Sequence, residues 1–157
     1  MTDGRKSRAS SASERSRDFN VKDRVVLITG AGQGIGRELG RQFAASGSIA
    51  IIGDVNMANA RAVAAEIEAE GYRAMPVFVD VSDETSVGQM VEVVLKAFGR
   101  IDALVNNASL FSTLTKRPFE QIPLAEWRKV MDVNVTGVFL CARAVAPVMK
   151  DRDSRRS

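Results

Sequence analysis

The residues best placed to do chemistry in this chain are glycines. The stretch Thr29-Gly30-Ala31-Gly32-Gln33-Gly34-Ile35-Gly36 sets three of them at the spacing Gly30-x-x-x-Gly34-x-Gly36. It follows an apolar run, Arg24-Val25-Val26-Leu27-Ile28, and opens a helix-like run from Arg37 onward. Strand, glycine turn and helix in that order make a phosphate site, because the helix offers unpaired N–H groups and a positive dipole end. Gly30 lets the chain turn off the strand, Gly34 removes a Cβ from the path of a pyrophosphate, and Gly36 lets the helix pack close. A plain structural turn is the alternative reading, since glycine triplets also occur there.

Asp54 is the next candidate. It stands about 20 residues past the glycine loop, where a carboxylate can accept hydrogen bonds from the hydroxyls of an adenosine ribose. It would also repel a 2′-phosphate: at ~4 Å and an effective dielectric of ~20, like unit charges cost up to ~4 kcal/mol. Gln33 offers that phosphate no positive charge. NAD is therefore the expected cofactor, with NADP less favoured. An ordinary loop carboxylate is the competing reading of Asp54.

These residues need a scaffold, and the hydrophobic pattern supplies one. Short apolar runs at Val25–Ile28, Ser48–Ile52, Ala74–Val79 and Ile101–Val105 have the Val/Ile-rich character of strands buried on both faces. Helical runs alternate with them at about Gly34–Ser46, Met57–Glu70, Glu84–Phe98 and Leu124–Met149. Gly47, Gly71 and Gly99 stand just past helical runs, where left-handed caps belong, and Ser82 is the expected N-cap of the third helix. The β-α alternation predicts an α/β fold: a parallel sheet with right-handed crossovers and helices on both faces.

Composition narrows the function further. The 157 residues give room for one domain, and 45% apolar with 26% charged residues is ordinary for a globular chain. No run is expected to span a membrane. With Cys141 alone and no histidine, neither a Cys/His metal site nor a Ser-His-Asp triad can be built from this chain. Of the net charge of +3, residues 1–20 and 150–157 carry +2 each, while the stretch between carries −1. That distribution argues against a dedicated nucleic-acid surface. Residues 1–20, rich in Ser and Arg, read as a disordered tail. The domain then runs over 21–150, with a polar tail at 151–157. A tether to anionic partners is the alternative use of the basic ends, and the expected location is cytoplasmic.

The loop spacing, with Thr29 before it, resembles the short-chain dehydrogenase/reductase family. A second motif supports this: Asn106-Asn107-Ala108-Ser109 matches the family's Asn-Asn-Ala-Gly except at Ser109. The resemblance covers about Lys22 to Lys150, and it implies a Rossmann-like doubly wound parallel sheet truncated to about four strands in the order 3-2-1-4. It implies hydride transfer between a nicotinamide cofactor and a carbonyl or alcohol substrate. It also places Thr29, Gly30, Gln33, Gly34, Ile35, Gly36, Asp54, Asn107 and Ala108 against the cofactor. Asp80-Val81 would lie beside the adenine, although Asp80 also reads as a turn aspartate. Asn134, in Asn134-Val135-x-Gly137, would belong to the catalytic set as the asparagine that helps hold a proton-relay water. The segment Leu110–Pro123 reads as a loop over the cofactor mouth. The last helical run is apolar all round, which suggests a homo-oligomer formed through it.

The resemblance also implies a Tyr-x-x-x-Lys helix later in the chain, with the tyrosine as acid/base and the lysine lowering its pKa, and that pair is not found here. The only tyrosine is Tyr72, and four residues on stands Pro76. Residues 151–157 have no strand character, so the chain reads as one that stops early, and no dehydrogenase activity is expected of it alone. The fourth strand would then be an exposed, aggregation-prone edge. The alternative to an enzyme's cofactor-binding half is a non-catalytic dinucleotide-binding or subunit-interaction module.

Overall fold

The computed structural model describes residues 21–111 and 114–154, backbone alone over 151–154; the expectation for the tail at 1–20 lies outside the described residues. Strands Val25–Thr29 (β1), Ile49–Asp54 (β2), Arg73–Phe78 (β3) and Ala103–Val105 (β4) alternate with helices Gly34–Ala45 (α1), Met57–Ala69 (α2) and Glu84–Phe98 (α3). After β4 come a short 3-10 turn at Phe119–Gln121, helix Leu124–Met131 (α4), a π-helical segment at Asp132–Thr136 and helix Gly137–Ser154 (α5). The four strands form one parallel sheet in the order β3-β2-β1-β4, as the family resemblance implies.

The two faces of β1 explain the layering. Val26 and Ile28 pack with Ala44, Ala60, Val63 and Ile67 from α1 and α2. Val25 and Leu27, one residue out of phase, pack with Met90 and Val94 of α3 and with Leu140 and Val145 of α5. Successive strand residues point to opposite faces, so a run apolar at every position is needed to bury a sheet on both sides. Each such buried side chain contributes about 1.5–3 kcal/mol.

Local signals fix where the elements begin and end. Asn56 caps α2 by accepting from the Asn59 N–H at 3.1 Å. The expectation that Ser82 caps α3 is corrected: Asp83 does so, accepting from the Thr85 N–H at 2.9 Å. Ser82 instead donates to Asp80, because the turn puts it one residue too early. Gly47, Gly71 and Gly99 take positive φ just past their helices. Two strand bounds shift as well: β3 begins at Arg73 and ends at Phe78, and β4 keeps only three residues. Pro76 lies in β3, an edge strand, where its missing N–H costs least.

The expected single helix at Leu124–Met149 is interrupted by the π segment, and α5 continues to Ser154, past the start of the expected polar tail. The combined run Leu124–Lys150 is 27 residues long and, by length and composition alone, enough to cross a membrane, contrary to the expectation that no run is. Its inner face is committed elsewhere: Leu140, Cys141 and Val145 are buried in the core beside α3.

Candidate functional site

Gly30 starts the site. Its φ of 65° carries the chain off β1, and a Cβ there would come 2.6 Å from the Cα of Ala108. No side chain can stand between the two loops. The Ala31 N–H then donates to the Gly53 carbonyl at 3.0 Å, and the Gly32 N–H to Asp54 Oδ2 at 2.8 Å. The glycine loop is thus pinned to the end of β2 before it reaches the helix.

Gly34 has φ 55°, and a Cβ on it would meet nothing within 4 Å. The space beside it is open. The α1 N-terminus behind it has no side-chain cap and no acidic residue in its first turn, whereas α2 and α3 are both capped by side chains. Free N–H groups facing an open space, with the positive dipole end behind them, suit a phosphate. Gly36 serves a different contact from the expected one. A Cβ there would fall on the Gly30 carbonyl and come within 2.5 Å of Asn107 Nδ2, so the clearance is for the loop and the asparagine. Close approach of helix to strand belongs as much to Gly40, whose Cβ would meet Ile52 Cδ1 at 2.7 Å.

Thr29 and Asn107 lock the ends of β1 and β4 together. The buried Thr29 Oγ1 accepts from the N–H groups of Asn107 and Ala108, both at 3.2 Å. Asn107 Nδ2 donates to the carbonyls of Thr29 and Gly30 at 3.0 Å each. Only Asn107 of the asparagine pair ties the strands in this way; the exposed Asn106 makes no side-chain hydrogen bond among the described residues.

On the far rim, Asp80 Oδ1 accepts from the Ser82 N–H at 2.9 Å and from its hydroxyl at 2.6 Å. Its backbone N–H donates to Ser86 Oγ. The turn-aspartate role is real within the chain, and the carboxylate still lines the site. Val81 is held by Gly137, where a Cβ would come 2.7 Å from Val81 Cγ2. Asn134 sits in the π segment and grips the backbone of Leu110.

These elements enclose a cavity of about 920 Å³, within the range of small-molecule sites. Its wall includes Gly30, Gln33, Gly34, Ile35, Gly36, Asp54, Asp80, Val81, Asn107 and Ala108. Thr29 and Asn134 stand behind the wall and hold it in place. Sequence reasoning missed the α4 side, where Ala125, Arg128, Lys129, Asp132 and Val133 line the cavity. Their i, i+3/i+4 spacing is the signal that marks one helical face. Arg128 and Lys129 have no ion-pair partner among the described residues, whereas Arg117 pairs with Glu126 at 3.3 Å. Phe111 and Leu110 add an apolar rim. Ser109 lines the wall without positive φ, so glycine's freedom is not required at that position. Tyr72 lies just before β3, away from the carboxyl ends of the strands where the cavity opens.

Comparison with known proteins agrees with this geometry. The family model for short chain dehydrogenase matches residues 24–156. The chain is 40% identical over 134 residues to a 3-oxoacyl-[acyl-carrier-protein] reductase of Synechocystis, covering 84% of this chain and 53% of that protein. It is 36% identical over 127 residues to the BbsD subunit of a (2S)-[(R)-hydroxy(phenyl)methyl]succinyl-CoA dehydrogenase of Thauera aromatica, covering 81% and 50%. Among solved structures, 3-ketoacyl-(acyl-carrier-protein) reductase from Brucella melitensis, complexed with NADH, superposes with a TM-score of 0.80 at 36% identity, covering 86% of this chain and 54% of that one. The chain therefore spans about half the length of the relatives it matches. With the family model matching most of its length and a parallel sheet that superposes on solved members, this chain belongs to the short-chain dehydrogenases.

Proposed function

We propose that the chain is the cofactor-binding half of an NAD-dependent oxidoreductase acting on a carbonyl or alcohol substrate. The observation that carries this reading is the open, uncapped α1 N-terminus at Gly34, beside an Asp54 carboxylate fixed in place. Asp54 accepts from Gly32 through Oδ2 and from Asn56 through Oδ1, both at 2.8 Å. Its remaining lone pairs are free to take the ribose hydroxyls, and its charge disfavours a 2′-phosphate.

The residues present fit a dinucleotide. The glycine loop takes the pyrophosphate, Asp54 the adenosine ribose, and the Asp80–Val81 rim the adenine. When bound, the nicotinamide supplies the hydride chemistry, and the protein orients it. Asn134 fixes the loop at the reacting end of the cavity. The one tyrosine in the sequence, Tyr72, lies just before β3 at the amino end of the sheet, away from the carboxyl ends where the cavity opens. We infer that this polypeptide alone does not turn over substrate.

A second reading has its own support in the outward face of the last helices. Trp127, Val135 and Phe139 are each at least half exposed, an arrangement that suits burial against a second copy. A subunit-interaction module that binds NAD without catalysis would use the same two surfaces.

Thermal unfolding of the purified chain with NADH and with NADPH tests the cofactor assignment. Ligand at 100 times its Kd stabilises a one-site protein by about 2.7 kcal/mol. The expected result is a shift with NADH and a smaller one with NADPH, with Asp54→Asn closing the gap. No shift with either ligand overturns the reading; a larger NADPH shift overturns the part assigned to Asp54. NADH oxidation that tracks the chain's concentration would overturn the claim of inactivity.

A further inference from the structure

Ser109 stands between two clamps. On its N-terminal side, Asn107 and Ala108 donate their N–H groups to Thr29 Oγ1, and Ala108 lies against Gly30. On its C-terminal side, both backbone groups of Leu110 are held by the Asn134 side chain. The backbone of Ser109 is therefore fixed from both directions, and the side chain keeps only its own rotation. Ser109 is exposed, lines the cavity, and makes no hydrogen bond with its hydroxyl among the described residues. The dehydrogenase pattern has glycine here, and the side chain that replaces it is exposed to the cavity on a backbone without positive φ.

We propose that the Ser109 hydroxyl is a cofactor-binding group for the sugar next to the reacting ring of the dinucleotide. This rests on the dinucleotide reading above. Position along the chain identifies which sugar. Ala108 abuts the glycine loop that takes the pyrophosphate, and Leu110 is tied to Asn134 at the reacting end. Two residues of chain span up to about 7 Å, the reach of one sugar between a diphosphate and the ring it carries. A hydroxyl both donates and accepts, so it can pair with either ribose hydroxyl. Because the backbone is already held, binding costs little additional ordering.

Three probes of increasing length separate the possibilities: ADP, which ends at the diphosphate; ADP-ribose, which adds the second sugar; and NADH. Their affinities are measured by calorimetry on the wild-type chain, Ser109→Ala and Ser109→Gly. The expected result is ADP affinity unchanged within twofold, with ADP-ribose and NADH weakened about fivefold in both variants, as for loss of one neutral hydrogen bond. An equal loss for all three ligands would mean that Ser109 only shapes the loop, and would overturn the proposal. Unchanged ADP-ribose affinity would overturn it as well. If the wild type binds none of the three, the dinucleotide reading itself fails and takes the proposal with it. If ADP binds and ADP-ribose ignores Ser109, only the proposal fails.

Discussion

Asn134 holds Leu110 by both of its backbone groups: Oδ1 accepts from the N–H at 2.8 Å and Nδ2 donates to the carbonyl at 3.2 Å. The pair spans 24 residues and joins the last helical run to the loop after β4. It is made from within the π-helical segment Asp132–Thr136. A π segment inserts one residue into a helix and re-aims the side chains that follow, and such segments gather at functional sites. The insertion and the loop contact therefore belong together: the helix gives up its regular hydrogen-bond pattern where its asparagine faces the loop after β4.

Asn134→Ala should release that loop. Removing both partners' hydrogen bonds costs about 1–3 kcal/mol, and the loss is local to residues 109–111 and the π segment. Amide exchange at Leu110 should accelerate by one to two orders of magnitude, while exchange in β1 stays slow. Asn134→Asp keeps the acceptor for the Leu110 N–H but sets a carboxylate oxygen against its carbonyl, so it should fall between wild type and alanine. Equal exchange rates at Leu110 in all three proteins would show that the clamp does not hold the loop.

Gly36→Ala tests the crowding at the top of the sheet. The new methyl would fall on the Gly30 carbonyl and within 2.5 Å of Asn107 Nδ2. Those neighbours are backbone and a doubly bonded side chain, so neither can yield cheaply, and overpacking of this kind costs about 1–3 kcal/mol. The chain should stay folded but less stable, with NADH affinity reduced at least tenfold, because the displaced groups are the ones that set the loop against Ala108. Gly88→Ala is the control, since a Cβ there meets nothing within 4 Å; it should raise stability slightly through helix propensity. If Gly36→Ala binds NADH like wild type, the loop geometry described here is not what recognises the ligand.

The contrast between these two sites shows what could be read from the residues. The strand order is legible only through the family resemblance. The β-α alternation and the positions of the glycine loop and Asp54 follow from apolar period and glycine spacing, which are local signals with few solutions. The partner of Gly36 does not. Its neighbour Asn107 lies 71 positions away in sequence and meets it only because β4 pairs beside β1. The α3 cap was misplaced by one residue because Ser82 and Asp83 are both good N-caps and the turn made by Asp80 decides between them. Helical spacing placed Leu124–Met149 in one helix, since propensity carries no signal for the extra residue of a π turn. The cavity's α4 wall at Ala125–Val133 carries the i, i+3/i+4 spacing of one helical face, but that spacing does not say which loops the face will lie opposite.

Cys141 makes the last prediction, and here the sign of the pH dependence decides the outcome. It is fully buried beside Leu140 and Val145, and that burial pushes its thiol up from 9.0 to about 11. The unfolded chain releases this proton near pH 9, while the folded chain holds it for about two further units, so the folded state binds more protons between those values. Stability contributed by the buried neutral thiol is thus fully present below pH 9 and is lost as pH rises toward 11. The loss reaches at most about 2.7 kcal/mol, from 1.36 kcal/mol per unit. Other groups also titrate in this window, so the measurement is a difference: urea midpoints of wild type and Cys141→Ala at pH 8, 9, 10 and 11. Alanine removes the titration and adds a small cavity whose cost does not depend on pH. The gap between the two proteins should therefore be constant up to pH 9 and then shift in favour of the alanine variant. Alkylation by iodoacetamide at pH 8 should also be slow in the folded protein and fast in urea, because the thiolate is the nucleophile. A gap that stays constant to pH 11, together with rapid native alkylation, would mean that the thiol titrates in contact with water and that α5 does not seal it against the core.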